Sequence, residues 1–328
     1  MTDIKRHRQS ILAVLAAGTA ICAAYLVLRD SNVVQRTEVN NATPVSLAAS
    51  SEQTDRVQRL SKVSVNPAAT VTYKKPALIE LANQLSAAKD LRKFSVEVQA
   101  HVAAGGVSYA MHATDLCRNL RMALENASIP WELADLPYAA PEDPRVHAVK
   151  NAALHRTKAA CQDFTNGDFE NSDLPAKAFA QGDPLFELKV QAHEINSASS
   201  LEDRRTILSA VLDNGDPLLI SQTLQRLLLS DRAEGGVNIW IDGEQRPVMQ
   251  SEMHFNALQV VHCRLGLPCG ELSHDVLDTC IATGECFSNQ VELFRSRMPQ
   301  KEREEFDQTL AQLESTIRER RVDRFLPR

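Results

Sequence analysis

The sequence predicts an all-α protein: a helical-hairpin, repeat-like domain of the α-solenoid type, with a small β-hairpin insertion and an N-terminal transmembrane helix. The repeat is indicated by the motif Gly-Asp-Pro-Leu, which occurs at 182–185 and at 215–218, 33 residues apart. Two helices in about 33 to 34 residues are typical of α-solenoid repeats. The composition also favours helices over sheets, because only 5% of the residues are aromatic while alanine and leucine are abundant.

Each Gly-Asp-Pro-Leu motif has the chemistry of a junction between two helices. Glycine adopts the positive φ that follows a helix C-terminus, and aspartate accepts hydrogen bonds from the free amides of the next helix. Proline fits the first turn of that helix, where its missing N–H costs nothing. The alternative is that two unrelated junctions share good capping residues by chance, since two copies are fewer than such arrays normally contain.

An uncharged apolar run at 11–28 predicts a transmembrane anchor. As a helix, its 18 residues would span roughly 27 Å, close to the hydrocarbon thickness of a bilayer. Lys5, Arg6 and Arg8 precede the run, which predicts a cytoplasmic tail at 1–10 by the positive-inside rule. We therefore expect a single-pass protein of the inner membrane, in contact with the lipid bilayer through 11–28, with its C-terminal domain in the periplasm.

The alternatives to an uncleaved anchor are a cleaved signal peptide and a lipidated cysteine. A cleaved signal peptide would have a shorter apolar region, of about 7 to 15 residues, followed by a small-x-small site. A lipidated Cys22 would follow a small residue, where this chain has Ile21. The length of the run and the identity of Ile21 both favour the anchor.

The rest of the chain divides into a linker at 29–72 and a helical periplasmic domain at 73–328. The linker is expected to be flexible, because it is rich in polar residues and has no sustained apolar periodicity. In the domain, apolar spacing and cap residues predict helices at 76–104, 107–126, 144–164, 174–181, 184–196, 201–213, 217–230, 251–265, 273–283, 289–297 and from Pro299 onward, the first of them ending at the Gly105-Gly106 pair.

Two segments interrupt the helical pattern. Residues 237–241 are β-branched and aromatic and are followed by Asp-Gly, which predicts a β-hairpin, and Pro247 restricts its second strand to a sheet edge. Several prolines within 130–144 predict a long loop. Trp131 and Tyr138 are expected to hold this loop against the domain.

Six cysteines lie outside the apolar run and predict disulfides, because an even number is typical of exported proteins in an oxidising compartment. Cys117 and Cys161 are expected to pair and to clamp two helices together. The other four have the spacing C-x5-C-x10-C-x5-C. Spacing leaves a local and a crossed pairing open: Cys263–Cys269 with Cys280–Cys286, or Cys263–Cys280 with Cys269–Cys286.

Zinc is the alternative use of the last four cysteines, since His254, His262 and His274 lie nearby in the sequence. Structural zinc sites usually contain C-x2-4-C pairs, which neither half of this pattern matches. Export also removes the reducing conditions that favour thiolate sites. We therefore predict disulfides and no metal.

No catalytic or cofactor-binding residue is predicted. The net charge of −6, without a basic stripe, argues against a nucleic-acid partner. The motif G-x-S-x-G, the P-loop and the dinucleotide fingerprint do not occur. His193-Glu194 matches half of a zinc-protease motif, but Ser197 stands where the second histidine is required, so an exposed helix face is the better interpretation.

Two features resemble uncharacterised exported helical proteins of xanthomonad-type proteobacteria: the Gly-Asp-Pro-Leu junctions, and residues 261–269 followed by Cys280 and Cys286. This resemblance covers roughly residues 75–320, and it implies an exported location but no chemistry. The 33-residue period is also similar to Sel1-like and tetratricopeptide arrays, although the chain lacks their aromatic-glycine-tyrosine patterns.

These observations predict a membrane-anchored periplasmic binding or scaffolding module of the cell envelope, with a protein partner and no enzymatic role. The alternative is an envelope hydrolase whose site is assembled from dispersed residues. A deep pocket with converging carboxylates or histidines of shifted pKa would favour the hydrolase, and a broad open groove would favour the scaffold.

Overall fold

The computed structural model describes residues 76–126, 129–138, 142–170, 172–196, 199–231 and 236–327. The predicted cytoplasmic tail, transmembrane anchor and linker lie outside the described residues. Among the helices that are described, none has the length and apolar character needed to cross a membrane.

The described part of the chain contains thirteen α-helices and one small antiparallel sheet, so the domain is mostly helical, as predicted. The helices are α1 (Pro76–Ala87), α2 (Leu91–Val98), α3 (Gly106–Asn126), α4 (Pro144–Cys161), α5 (Asn166–Glu170), α6 (Leu174–Gln181), α7 (Pro184–Glu194), α8 (Leu201–Asn214), α9 (Pro217–Leu228), α10 (Glu252–Arg264), α11 (His274–Thr283), α12 (Gln290–Ser296) and α13 (Gln300–Arg318). The strands are β1 (Leu229–Asp231), β2 (Val237–Ile241) and β3 (Glu244–Pro247).

Two predicted helices differ from the structure because a local cap competes with helix continuation. The helix predicted at 76–104 is divided into α1 and α2 and ends at Val98, since Asp90 is extended and its carboxylate accepts a hydrogen bond from the Lys93 amide at 2.9 Å. The helix predicted to end near residue 164 ends at Cys161. The Asn-Gly-Asp that was expected to terminate it begins α5 instead, where Asp168 accepts from the Thr165 amide at 2.7 Å.

The predicted β-hairpin is present as β2 and β3, and its turn at Asp242 and Gly243 has positive φ at both residues. Pro247 lies on the edge strand, opposite Asn238. A third strand, β1, was not predicted. It pairs with the other side of β2, where the sequence predicted the continuation of a helix to residue 230.

One contiguous hydrophobic core runs through the described domain, from α1 to the C-terminal segment. Helix α3 is central to it, because it packs against α1, α2, α6, α7 and α11. In a solenoid, contacts are largely confined to neighbouring repeats, whereas α3 joins segments from both ends of the domain.

The two Gly-Asp-Pro-Leu junctions have the same local structure. Gly182 and Gly215 both have positive φ, at 68° and 72°. Asp183 accepts hydrogen bonds from the amides of the second and third residues after it, both at 3.0 Å. Asp216 does the same at 2.8 and 3.1 Å. The predicted roles of the glycine at the end of one helix and of the aspartate as the cap of the next are therefore confirmed at both junctions.

Both cap aspartates also bind consecutive residues of α3, an arrangement that we name the double cap. Asp183 accepts from the Ser108 amide at 3.0 Å and from the Ser108 hydroxyl at 2.8 Å. Asp216 accepts from the Tyr109 hydroxyl at 3.1 Å. Asp183, Asp216 and Tyr109 are each 0% exposed. The double cap therefore fixes the start of α7 and the start of α9 to the first turn of α3.

Burial raises the pKa values of two members of the double cap, Asp216 and Tyr109. Desolvation raises the pKa of Asp216 to about 6, and the nearby charge of Asp183 adds to the rise. The hydrogen bonds from the Leu219 amide, Tyr109 and the Leu218 amide act in the opposite direction, because they stabilise the carboxylate. Desolvation and Asp216 together raise the pKa of Tyr109.

We predict that Asp216 makes the stability of the domain fall as the pH rises from about 4 to about 6. Over this interval the unfolded chain releases the proton of Asp216 first, because the ordinary pKa is 3.8 and the folded value is about 6. The difference corresponds to roughly 3 kcal/mol in the free energy of unfolding. Asp216→Asn keeps an acceptor for the two amides but cannot ionise, so its stability relative to wild type should increase by about 2 kcal/mol between pH 4 and pH 6 and reach the full difference near pH 7.

The measurement is urea unfolding of both proteins at several pH values. Asp143→Asn is the matched control, because Asp143 caps α4 in the same way at an exposed position. A stability difference between Asp216→Asn and wild type that does not change with pH would contradict the prediction.

Candidate functional site

The candidate site surrounds the Cys263–Cys269 disulfide at the C-terminal end of α10. Cys263 lies in the last turn of this helix, and the chain reverses at Gly266, whose φ is 111°. Cys269 then returns to within 5.5 Å of Cys263, measured between the Cα atoms. Cys269 is buried and Cys263 is half-buried, so the disulfide lies at the boundary between the core and solvent.

His262 and Gln290 complete the surroundings of this disulfide. A ring nitrogen of His262 lies within 4.8 Å of both sulfur atoms. The Gln290 side chain is hydrogen-bonded to His262, and its Oε1 lies 3.7 Å from the sulfur of Cys263. The backbone N–H of Gln290 donates to the carbonyl of Cys269 at 2.9 Å, and the side-chain Nε2 of Gln290 donates to Asp275 at 2.7 Å.

An open pocket of about 420 Å³ lies beside the disulfide. Apolar groups and charges of both signs meet there, and Arg264 forms an ion pair with Glu314 at 3.4 Å at its margin. The pocket is lined by the two cysteines and by Arg264, Leu267, Asn289, Val291 and Glu292.

Two histidines near the site are neutral at neutral pH. Burial lowers the pKa of His262 to about 4, and repulsion from His112 adds to the effect, although the hydrogen bond with Gln290 opposes it. Burial also lowers the pKa of His112 to about 4, with a further contribution from the charge of Lys189. A neutral imidazole keeps one nitrogen lone pair, so it can accept a hydrogen bond or bind a metal ion.

The hydrogen bonds of the described histidines lead to carboxylate, side-chain amide and carbonyl groups. In the described ranges, histidines bond to Glu142, Asn151, Asp135, Gln290 and the Lys189 carbonyl, and none bonds to a serine or threonine hydroxyl. His193 and Glu194 lie on an exposed helix face, as expected from the sequence.

A second polar cluster, at the start of α4, has a structural role. Glu142 forms an ion pair with Lys150 at 2.5 Å and a bond to His147 at 3.1 Å, and the Lys150 bond holds the pKa of Glu142 below its usual range. Asn151 accepts from the Leu136 amide at 2.7 Å. These bonds attach the preceding loop to α4.

Trp131 and Tyr138 contact the same helix from this loop, as the sequence predicted. Lys158 lies over the Trp131 ring, 5.2 Å from its centre, and donates to the Trp131 carbonyl. The Tyr138 ring meets His147 edge-on, with 5.0 Å between the ring centres.

The six cysteines form three disulfides. Cys117–Cys161 joins α3 to α4, as predicted. Of the two pairings that the sequence leaves open for the last four cysteines, the structure has the local one, and their Cα atoms are 5.5 and 4.3 Å apart. A zinc site made of all four thiolates does not fit this arrangement. The two local bridges are Cys263–Cys269 and Cys280–Cys286.

Sequence reasoning missed His112 and Gln290 as neighbours of His262. His112 is separated from His262 by 150 positions in the chain, and no local pattern distinguishes it from other residues of α3. Gln290 follows a cap at Asn289, which indicates a helix start but not a contact with α10. His254, in contrast, lies in another small pocket, beside Trp240 and Asp242.

No protein-family model matches this chain, and no curated protein sequence or solved structure does either. The resemblance to exported helical proteins, and the weaker one to Sel1-like and tetratricopeptide arrays, therefore stay predictions.

We predict that the Cys117–Cys161 disulfide contributes more to stability than the local Cys263–Cys269 disulfide. In the chain-entropy model, closing the 44-residue separation of Cys117–Cys161 contributes about 4 kcal/mol, and closing the six-residue separation of Cys263–Cys269 contributes about 2 kcal/mol. Replacing both cysteines of each pair by alanine should therefore lower the free energy of unfolding more for the first pair. Urea unfolding measures this difference, and an equal or larger loss for Cys263–Cys269 would contradict it.

Proposed function

We propose that residues 73–328 form a non-enzymatic binding and scaffolding module of the cell envelope. In this proposal, residues 11–28 hold the module at the inner membrane, and the module lies in the periplasm. The basic residues before the apolar run support this orientation. The three disulfides support an oxidising compartment, since cytosolic proteins rarely contain them.

The observation that carries the non-enzymatic proposal is the location of the buried acids. Asp183 and Asp216 are completely buried, and their oxygens are occupied by helix amides and by α3. A catalytic acid or base needs access to substrate, and groups with shifted pKa that serve catalysis lie in clefts. The double cap therefore has the properties of a structural device.

The pocket beside Cys263–Cys269 is the binding surface that we assign to this module. Leu267 and Val291 offer apolar contacts, while Arg264 and Glu292 offer one charge of each sign. The disulfide fixes one wall of the pocket, which lowers the entropy lost on binding. This combination suits an extended segment of a protein partner that carries both an apolar side chain and charged groups.

A hydrolase is the rival function, and the neutral His262 next to the pocket-lining cysteines is the observation that favours it. His262 would have to serve as the base, because it is the histidine next to the pocket-lining cysteines. Its recorded hydrogen bond leads to Gln290, however, and Gln290 cannot act as a nucleophile.

The proposal predicts that an impermeant crosslinker applied to spheroplasts will join the full-length chain to a protein partner. In spheroplasts the inner membrane is intact, so such a reagent reacts only with domains on its periplasmic side. The captured partner, once purified, should bind the full-length chain saturably. Arg264→Glu should weaken this binding at least tenfold, because it reverses a charge at the pocket wall. Lys93→Ala is the matched control, since its exposed ion pair lies on α2, and it should bind like wild type.

Two results would contradict the binding module. The first is that the chain does not react in spheroplasts but reacts after lysis, which places the domain in the cytoplasm. The second is release of products from peptidoglycan or phospholipid by the purified chain at a rate that His262→Ala abolishes, which indicates the hydrolase.

A further inference from the structure

The residues around Cys263–Cys269 have the composition of a metal site that the disulfide closes. We propose that, once this disulfide is reduced, His262, Cys263 and Cys269 bind one thiophilic d10 cation such as Zn²⁺. The inference does not depend on the binding module, because it concerns only the chemistry of this chain's own side chains.

The three ligand atoms are already close together. The His262 nitrogen and both sulfur atoms all lie within 4.8 Å of one another, and this is the one such group of potential ligands among the described residues that contains a cysteine. A tetrahedral Zn²⁺ with bonds of about 2.3 Å to sulfur and about 2.0 Å to nitrogen needs separations of roughly 3.5 to 3.8 Å between ligands. The two Cα atoms, 5.5 Å apart, allow this by rotation of the side chains.

Gln290 prepares His262 for this role. Its Nε2 donates to Asp275 at 2.7 Å, and its Oε1 faces the Cys263 sulfur at 3.7 Å. The hydrogen bond between His262 and Gln290 therefore uses this oxygen, which accepts the N–H of one ring nitrogen. The other ring nitrogen then keeps its lone pair, which is the arrangement seen when a second residue orients a metal-binding histidine.

The pocket supplies access and an open coordination position. It is lined by Cys263 and Cys269 themselves, and its volume of about 420 Å³ admits a hydrated ion. Two thiolates and one imidazole leave the fourth position of a tetrahedral zinc ion free for water or another ligand. Thiolate and imidazole ligands together favour soft or borderline ions over Mg²⁺ or Ca²⁺.

The redox step balances with a dithiol as the reductant. The dithiol transfers two electrons and two protons to Cys263–Cys269, so the S–S bond breaks, two thiols form and the reductant becomes a disulfide. Binding of Zn²⁺ then displaces the two thiol protons to solvent, and two Zn–S bonds and one Zn–N bond form. Oxidation reverses the sequence and releases the ion.

Cys280–Cys286 is a matched internal control. It has the same six-residue separation as Cys263–Cys269 but belongs to no group of metal ligands among the described residues. Its environment contains Arg156 and Glu271 with apolar side chains. Reduction of this second pair therefore creates two thiols without the histidine.

The test is a Zn²⁺ titration of the purified full-length chain in detergent, before and after anaerobic reduction by a phosphine, against a chromophoric competitor. We expect no specific binding to the oxidised chain and one Zn²⁺ per reduced chain.

The double variant Cys280→Ser/Cys286→Ser should bind like wild type, and Cys263→Ser/Cys269→Ser should lose the site. His262→Ala should bind at least tenfold more weakly, and Gln290→Ala about 10- to 100-fold more weakly. Co²⁺ should give a thiolate charge-transfer band that His262→Ala changes.

Near-ultraviolet circular dichroism of each variant shows whether it is folded, and His262→Gln replaces His262→Ala if that variant unfolds. The proposal is overturned if the reduced wild type binds Zn²⁺ no more tightly than Cys263→Ser/Cys269→Ser. It is also overturned if the folded His262 variant binds as tightly as wild type, since the thiols alone would then account for the affinity.

Discussion

The structure depends on the burial of two carboxylates against the first turn of one helix. An isolated carboxylate in an apolar core is unstable by many kcal/mol, so burial requires that its oxygens be bonded. Asp183 and Asp216 meet this condition with the amides that begin α7 and α9, whose helix dipoles also favour a negative charge. Ser108 and Tyr109 supply the remaining donors. Removing one donor leaves part of a buried charge uncompensated, which is why the double cap fixes these helices in place.

Helix α3 connects the double cap to other parts of the domain. Its start needs two glycines, because a Cβ at Gly106 would overlap the Val98 carbonyl and one at Gly105 would overlap Leu185. Further along the same helix, His112 lies near His262 and Cys117 is bonded to Cys161. The candidate site, the longest disulfide loop and the double cap are therefore connected through one rigid element.

The sequence predicted the features that depend on neighbouring residues. Capping at Asp183 and Asp216 and the β2–β3 turn each involve a few consecutive positions, where the chemistry of the residue type decides the structure. The break at Asp90 was missed although it is also local, because a cap and a helix interior compete closely there.

The features that depend on distant residues could not be predicted from one sequence. Strand β1 forms because β2 offers an unpaired side, which overrides the helical pattern before it. Asp183 and Asp216 have the pattern of surface caps, and nothing near them shows that α3 covers both. The approach of His112 to His262 likewise joins two positions that are far apart in the chain. The predicted anchor and envelope location concern residues outside the described part of the chain and stay predictions.

Native-state hydrogen exchange at the helix caps tests the central claim most directly. The amides of Leu185 and Leu218 bond to the double cap, whereas those of Lys93 and Arg145 bond to the cap aspartates Asp90 and Asp143, which are half-buried and exposed. If the double cap fixes the domain, Leu185 and Leu218 exchange only through global unfolding, with the slowest core amides, and Lys93 and Arg145 exchange through local fraying. Exchange of Leu185 and Leu218 as fast as that of the two surface-cap amides would contradict the account.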